Sequence, residues 1–168
     1  DMVSLLSGGT ATYTLTATNA TGSKSATVTV GVDEPELPPV LTEFLSDNGQ
    51  SIEDEDGSNE DWIEIHNPNS FSLNAEGFYL TDLATDLTKW RLPGVSIPAN
   101  GYLIVVASGK DRTDAGGPLH TNFSLSRAGE YLALVARDGT TVLGQFPATY
   151  PASPTFPPQG TDISYGVP

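Results

Sequence analysis

Apolar and polar positions alternate in short runs along this chain and almost nowhere recur at helical spacing, which predicts an all-β protein. Residues 12–19 (TYTLTATN) set Tyr13, Leu15 and Ala17 between threonines, and residues 25–32 (SATVTVGV) alternate again after an Asn19-Ala20-Thr21-Gly22 turn. Together they predict a β-hairpin, which needs a further layer to cover its apolar face. Further strands are predicted at 40–45, 62–67, 78–81, 88–92 and 102–107, with a weaker one at 122–125. Residues 130–136 and 140–146 flank Asp138-Gly139, the pair that favours a type I′ turn. The runs YLIVVA and YLALVA are apolar at every position, so both strands are expected to lie centrally, with their outer faces partly covered.

Between these runs the acidic, proline-rich DEPELPP (33–39) has no periodicity and reads as an extended linker. The predicted organisation is a hairpin over 1–32, the linker, and a β-sandwich over 40–168. The irregular, proline-rich stretch 147–158 is expected to lie along the sandwich, held by Tyr150 and Phe156, before a last extended piece at 162–166. Residues 1–10 lack the basic and apolar regions of a signal peptide and read as the middle of a longer polypeptide.

Charge narrows the function classes. Seven basic residues stand against 21 acidic ones, a net charge of −14, and without a Lys/Arg cluster neither nucleic acid nor an anionic membrane surface is an expected partner. No apolar run is long enough for membrane insertion. With no cysteine, thiolate catalysis, Cys-ligated zinc and disulfides are excluded.

The motifs, taken in order, carry a resemblance. Asp61-Trp62-Ile63-Glu64-Ile65-His66-Asn67 (DWIEIHN) is followed by Gly77 to Asp82 (GFYLTD), Lys89 to Pro93 (KWRLP) and Ile97 to Ser108 (IPANGYLIVVAS). Over residues 40–146 the chain resembles the lamin tail domain. The EDEDG loop and the DISYG tail are similar to its bacterial branch. Residues 12–30 (TYTLTATNATGSKSATVTV) resemble the last two strands of bacterial immunoglobulin-like or PKD-type surface domains. The resemblance implies an immunoglobulin-like β-sandwich in a secreted or cell-surface bacterial protein. Its implied role is non-catalytic: spacing neighbouring domains of the parent chain or contacting a protein partner. The hairpin is expected to pair with the sandwich or with another molecule, by strand exchange through residues 10–32.

Eleven of the 21 acidic residues fall within 33–61, and no Lys or Arg occurs between Lys24 and Lys89. Hard cations want six to eight oxygens. The EF-hand pattern fails, because aligning on Gly57 puts Ile52 and Ile63 at its first and last ligand positions. A different calcium loop using Asp54, Asp56, Asn59 and Asp61 is one reading, and a solvated acidic loop is the other. His66 is expected to end a strand, half-exposed, and His120 to lie in a Gly-Gly-Pro loop. There is no G-x-S-x-G elbow, and Ser108 follows a strand without the small-residue frame that would strain it, Val106 and Lys110 standing at the elbow's glycine positions. Glu64 and Asp82 are the least implausible carboxylate pair for glycoside hydrolysis, a part in a hydrolase being the third reading. Trp62, Trp90, Tyr79 and Tyr102 fit either a sandwich core or a sugar-stacking platform, the second belonging to a carbohydrate-binding module with calcium assistance.

Overall fold

The computed structural model describes residues 10–31 and 34–166. The expected Val32 end of the hairpin, Asp33, and the stretches 1–9 and 167–168 lie outside them. The described residues contain no helix, and the chain divides after Glu36 into two compact units.

The first unit is a hairpin of β1 (Thr10–Asn19) and β2 (Gly22–Gly31), paired antiparallel along their full length from Thr10↔Gly31 to Asn19↔Gly22. The turn closes on Asn19, whose side-chain Oδ1 accepts from the Thr21 amide at 2.9 Å.

The second unit holds β3 (Val40–Leu45), β4 (Asp61–His66), β5 (Leu73–Asn74), β6 (Tyr79–Thr81), β7 (Trp90–Arg91), β8 (Ser96–Ile97), β9 (Tyr102–Ala107), β10 (Leu119–His120), β11 (Leu132–Val135), β12 (Val142–Phe146) and β13 (Tyr165–Gly166). Five strands form one sheet in the order β10-β9-β4-β3-β13, and four form a second in the order β12-β11-β6-β7. β5 and β8 pair by themselves.

The two sheets share one core. Phe44, Ile63, Ile65, Val105 and Ala107 from the first meet Leu80, Trp90, Leu132, Leu134 and Phe146 from the second, all nearly or fully buried. Alternation accounts for β4, where Ile63 and Ile65 point inward and Trp62, Glu64 and His66 stay half-exposed. In β3 a bulge between Leu41 and Glu43 resets the phase, so that Leu41 and Phe44, three positions apart, both reach the core. β11 is buried along its whole length, as its unbroken apolar run predicts. Its second face, Ala133 and Val135, packs with Tyr131 under Tyr79, Ala84, Leu87 and Tyr150.

Several local expectations change. The 88–92 segment pairs only at Trp90–Arg91, and 122–125 forms no strand beyond a single Ser124–Ser108 bridge. The pairing moves upstream to β10, which lies parallel to β9 with Leu119 opposite Val105. The turn at Asp138-Gly139 is not type I′, because only Gly139 has positive φ (70°). Its amide bonds the Ala136 carbonyl at 2.9 Å, a type I turn with glycine in the left-handed position. Asp138 favours that form because its carboxylate accepts the Thr140 and Thr141 amides, both at 2.8 Å. The Thr141 hydroxyl, which donates to the same carboxylate at 2.6 Å, and then those amides hold its pKa down to about 2.

The proline-rich tail is part of the core. Phe156 is fully buried and stacks on Phe44 at 4.4 Å, while Tyr150 lies 4.9 Å from Tyr131. β13 then pairs with β3, Tyr165 opposite Phe44.

Candidate functional site

The acidic loop between β3 and β4 meets the segment leaving β9. Asn48 closes the base of the loop, its Nδ2 donating to the carbonyls of Ile52 (2.8 Å) and Glu60 (2.7 Å). Within the loop, Asp54 organises the backbone. Its Oδ1 accepts the amides of Asp56 and Ser58, both at 2.9 Å. Its Oδ2 is left to face outward, towards Lys110.

After β9 the backbone turns at Gly109 (φ 74°) and again at Asp111, and Ser108, Lys110 and Arg112 all reach the loop side, Ser108 to His120 and the two cations to loop carboxylates. Trp90 Nε1 donates to Asp111 Oδ1 at 3.0 Å, holding that residue at a φ of 53°. The Asp111 amide bonds the Thr121 carbonyl and the His120 amide the Arg112 carbonyl, each at 3.0 Å, which fixes the segment beside β10. Lys110 and Arg112 are thereby aimed into the acidic loop.

Lys110 Nζ pairs with Asp54, with Asp56 at 2.9 Å and with Glu60 at 3.5 Å. Arg112 pairs with Glu55 and reaches Asp56 at 2.6 Å. The Asp54 side chain is only 1% exposed, so its charge is well covered by this contact. Lys110 and then the Ser58 amide hold its pKa at about 2. Glu55 is lowered by its own backbone amide and by His120, and Asp56 by Arg112 and then Lys110. Both cations are correspondingly raised, Lys110 by Asp54 first and Arg112 by Asp56 first.

His120 completes the contact. Its ring is fully buried, with Nδ1 2.8 Å from Ser108 Oγ and Nε2 3.0 and 3.1 Å from the two Glu55 carboxylate oxygens. A carboxylate only accepts, which places a proton on Nε2; in the neutral ring Nδ1 then accepts from the serine hydroxyl. Nucleophile, imidazole and acid are thus in hydrogen-bonded sequence, the connectivity of a hydrolytic triad. Arg112 also holds Glu55, and through Glu55 and Ser108 the ring links the acidic loop to the end of β9. Asp54, Glu55 and His120 also bring three ligand-type atoms within 4.8 Å of one another, and a metal ion there would compete with Lys110 and Arg112 for the carboxylates.

The four residues expected to form a calcium loop have different surroundings. Asp54 and Asp56 share Lys110, Asn59 is exposed, and Asp61 sits at the start of β4. Asp61 accepts the Asn48 amide at 3.3 Å. Burial, with Asp47 and Glu60 nearby, raises its pKa to about 6. Glu64 accepts from Thr42 Oγ1 at 2.7 Å, and Asp82 pairs with Lys89 at 2.6 Å. Of the four candidate platform aromatics, Trp90 is in the core, Trp62 and Tyr79 are half-buried, and Tyr102 is 57% exposed.

Sequence reasoning missed Ser108, Lys110, Arg112 and His120 as a unit. The signal was there: alternate residues of SGKDR carry two of only seven cations, downstream of a loop with no counter-charge of its own. No family model, curated protein or solved structure matches the chain.

Proposed function

We propose that the sandwich is a non-catalytic structural and interaction module, immunoglobulin-like and of lamin-tail type, within a larger secreted or cell-surface bacterial protein. It spaces neighbouring domains or contacts a protein partner. The observation that supports this reading is the mutual neutralisation of its reactive groups: Asp54, Glu55 and Asp56 are held by Lys110, Arg112 and a fully buried His120. Groups committed to one another in this way stiffen a loop and are poorly placed to exchange protons with a substrate.

The test compares hydrolysis of an activated aryl ester by the wild type and by Ser108→Ala. Equal, background rates are expected, together with faster amide exchange over residues 53–60 in His120→Gln. A serine-dependent rate above background would overturn the reading.

A second reading, carbohydrate binding, is favoured by one feature. On the outer face of β4 and β9, the His66 and Tyr102 rings lie 4.7 Å apart at 32°, beside Val40 and Ile104, which are 39% and 37% exposed. Retention on insoluble polysaccharide, abolished by Tyr102→Ala, would select it.

A further inference from the structure

The hairpin β1–β2 has two unlike faces. On one, Thr12, Thr14, Thr16 and Thr18 stand opposite Thr29, Thr27, Ser25 and Ser23. Three of these pairs are hydrogen-bonded to each other: Thr12–Thr29 at 3.2 Å, Thr16–Ser25 at 2.7 Å and Thr18–Ser23 at 2.8 Å. That face satisfies much of its own polarity. On the other, Ala11, Tyr13, Leu15 and Ala17 stand opposite Val30, Val28, Ala26 and Lys24, so that this face is apolar except for Lys24 at its turn end. There Tyr13 is 42% exposed, Leu15 76%, Val28 58% and Val30 44%. A two-stranded sheet with an apolar face open to water is marginal; a second layer about 10 Å away is what stabilises such a face.

Charge points to what that layer is. Residues 10–31 contain one charged side chain, Lys24, whereas the whole chain carries −14. Two copies approaching through most of the remaining chain meet like-charge repulsion; the hairpin is a segment where they meet almost without it. The face has alternating β-branched and aromatic residues in register, so it is complementary in kind to itself. We propose that two copies of this chain associate through the apolar faces of their hairpins, stacked about a two-fold axis into a four-stranded, two-layered unit. With the hairpins head to tail, Tyr13 and Leu15 lie near the axis and the two Lys24 side chains at opposite ends.

The area sets the strength. Ten residues at 3.4 Å rise and two strands at 4.8 Å spacing give a face of roughly 300 Å², so the pair buries about 600 Å², less than a specific stable interface needs. The association is therefore weak and concentration-dependent. It does not depend on the role proposed for the sandwich.

Sedimentation velocity on the full chain tests it, over about 10 μM to about 1 mM, the range in which so small an interface is populated. A dimer fraction rising with concentration is expected. The Leu15→Thr/Val28→Thr variant keeps β-forming residues while making both faces hydroxylated, and it should weaken dimerisation at least tenfold. Thr14→Asp, on the hydroxyl face, should leave it within about twofold, as surface changes away from a contact do. A monomer at every concentration would overturn the proposal, the cover then being another protein or another part of the chain. So would a dimer indifferent to Leu15→Thr/Val28→Thr, or one lost equally in Thr14→Asp.

Discussion

Asp61 and Asp54 are carboxylates of one loop displaced in opposite directions, and the difference is what faces each. Asp61 has burial and like charges, and its pKa rises from 3.8 to about 6. The folded protein therefore holds this proton more tightly than the unfolded chain does. The ionised group costs stability, a cost absent below about pH 4 and complete above about pH 6. The shift corresponds to about 3 kcal/mol at most, and partial exposure reduces this to about 1–2 kcal/mol. Asp61→Asn keeps an acceptor for the Asn48 amide, so its melting temperature should exceed the wild type's at pH 7.5 and match it at pH 4. Asp54, at about 2, has the reverse sign: its contribution is present above pH 4 and fades as pH falls through 2. Removing its main cause in Lys110→Met should return the Asp54 titration towards 3.8, as carboxyl NMR would record.

Strands were legible wherever one face is buried and the other wet, as in β4, or where burial is complete, as in β11. What sequence could not show was pairing of only two residues. β5, β8 and β10 exist because a long-range partner is close, Leu73 with Ile97 and Leu119 with Val105, and two residues carry no periodicity. The type I turn at Asp138 was hidden for a related reason: Asp-Gly suits two turn forms, and side-chain capping by Asp138 selects between them. Gly139→Val should still be destabilising, since its φ is 70° and a Cβ there would lie 2.8 Å from Thr88 Cγ2. A loss of about 1–3 kcal/mol in denaturant unfolding is expected. Gly129→Ala should cost at least as much, because at a φ of 100° its Cβ would sit 2.1 Å from the Phe156 carbonyl oxygen.

For the whole molecule, acidity was the plainest sequence feature, and what the acidic groups meet was the hidden one. Eleven acidic residues within 33–61 invite a cation, and the structure supplies Lys110 and Arg112 from more than fifty positions downstream. Composition gives the sum of charge; only the fold tells which charges meet. Millimolar calcium is accordingly expected to leave the melting temperature where chelator leaves it. A saturable rise would mean that Asp54 and Asp56 exchange Lys110 for the ion.

The pairing of β3 with β13 has a consequence for synthesis. The sandwich's opening strand takes its edge partner from Tyr165 and Gly166, and Phe44 rests on Phe156. Until residues 156–166 have been made and have left the ribosome, that edge stays open and the interior lacks an aromatic ring. The sandwich therefore closes only once that segment is available, and a product stopped near residue 146 is left with an exposed β-edge that invites aggregation.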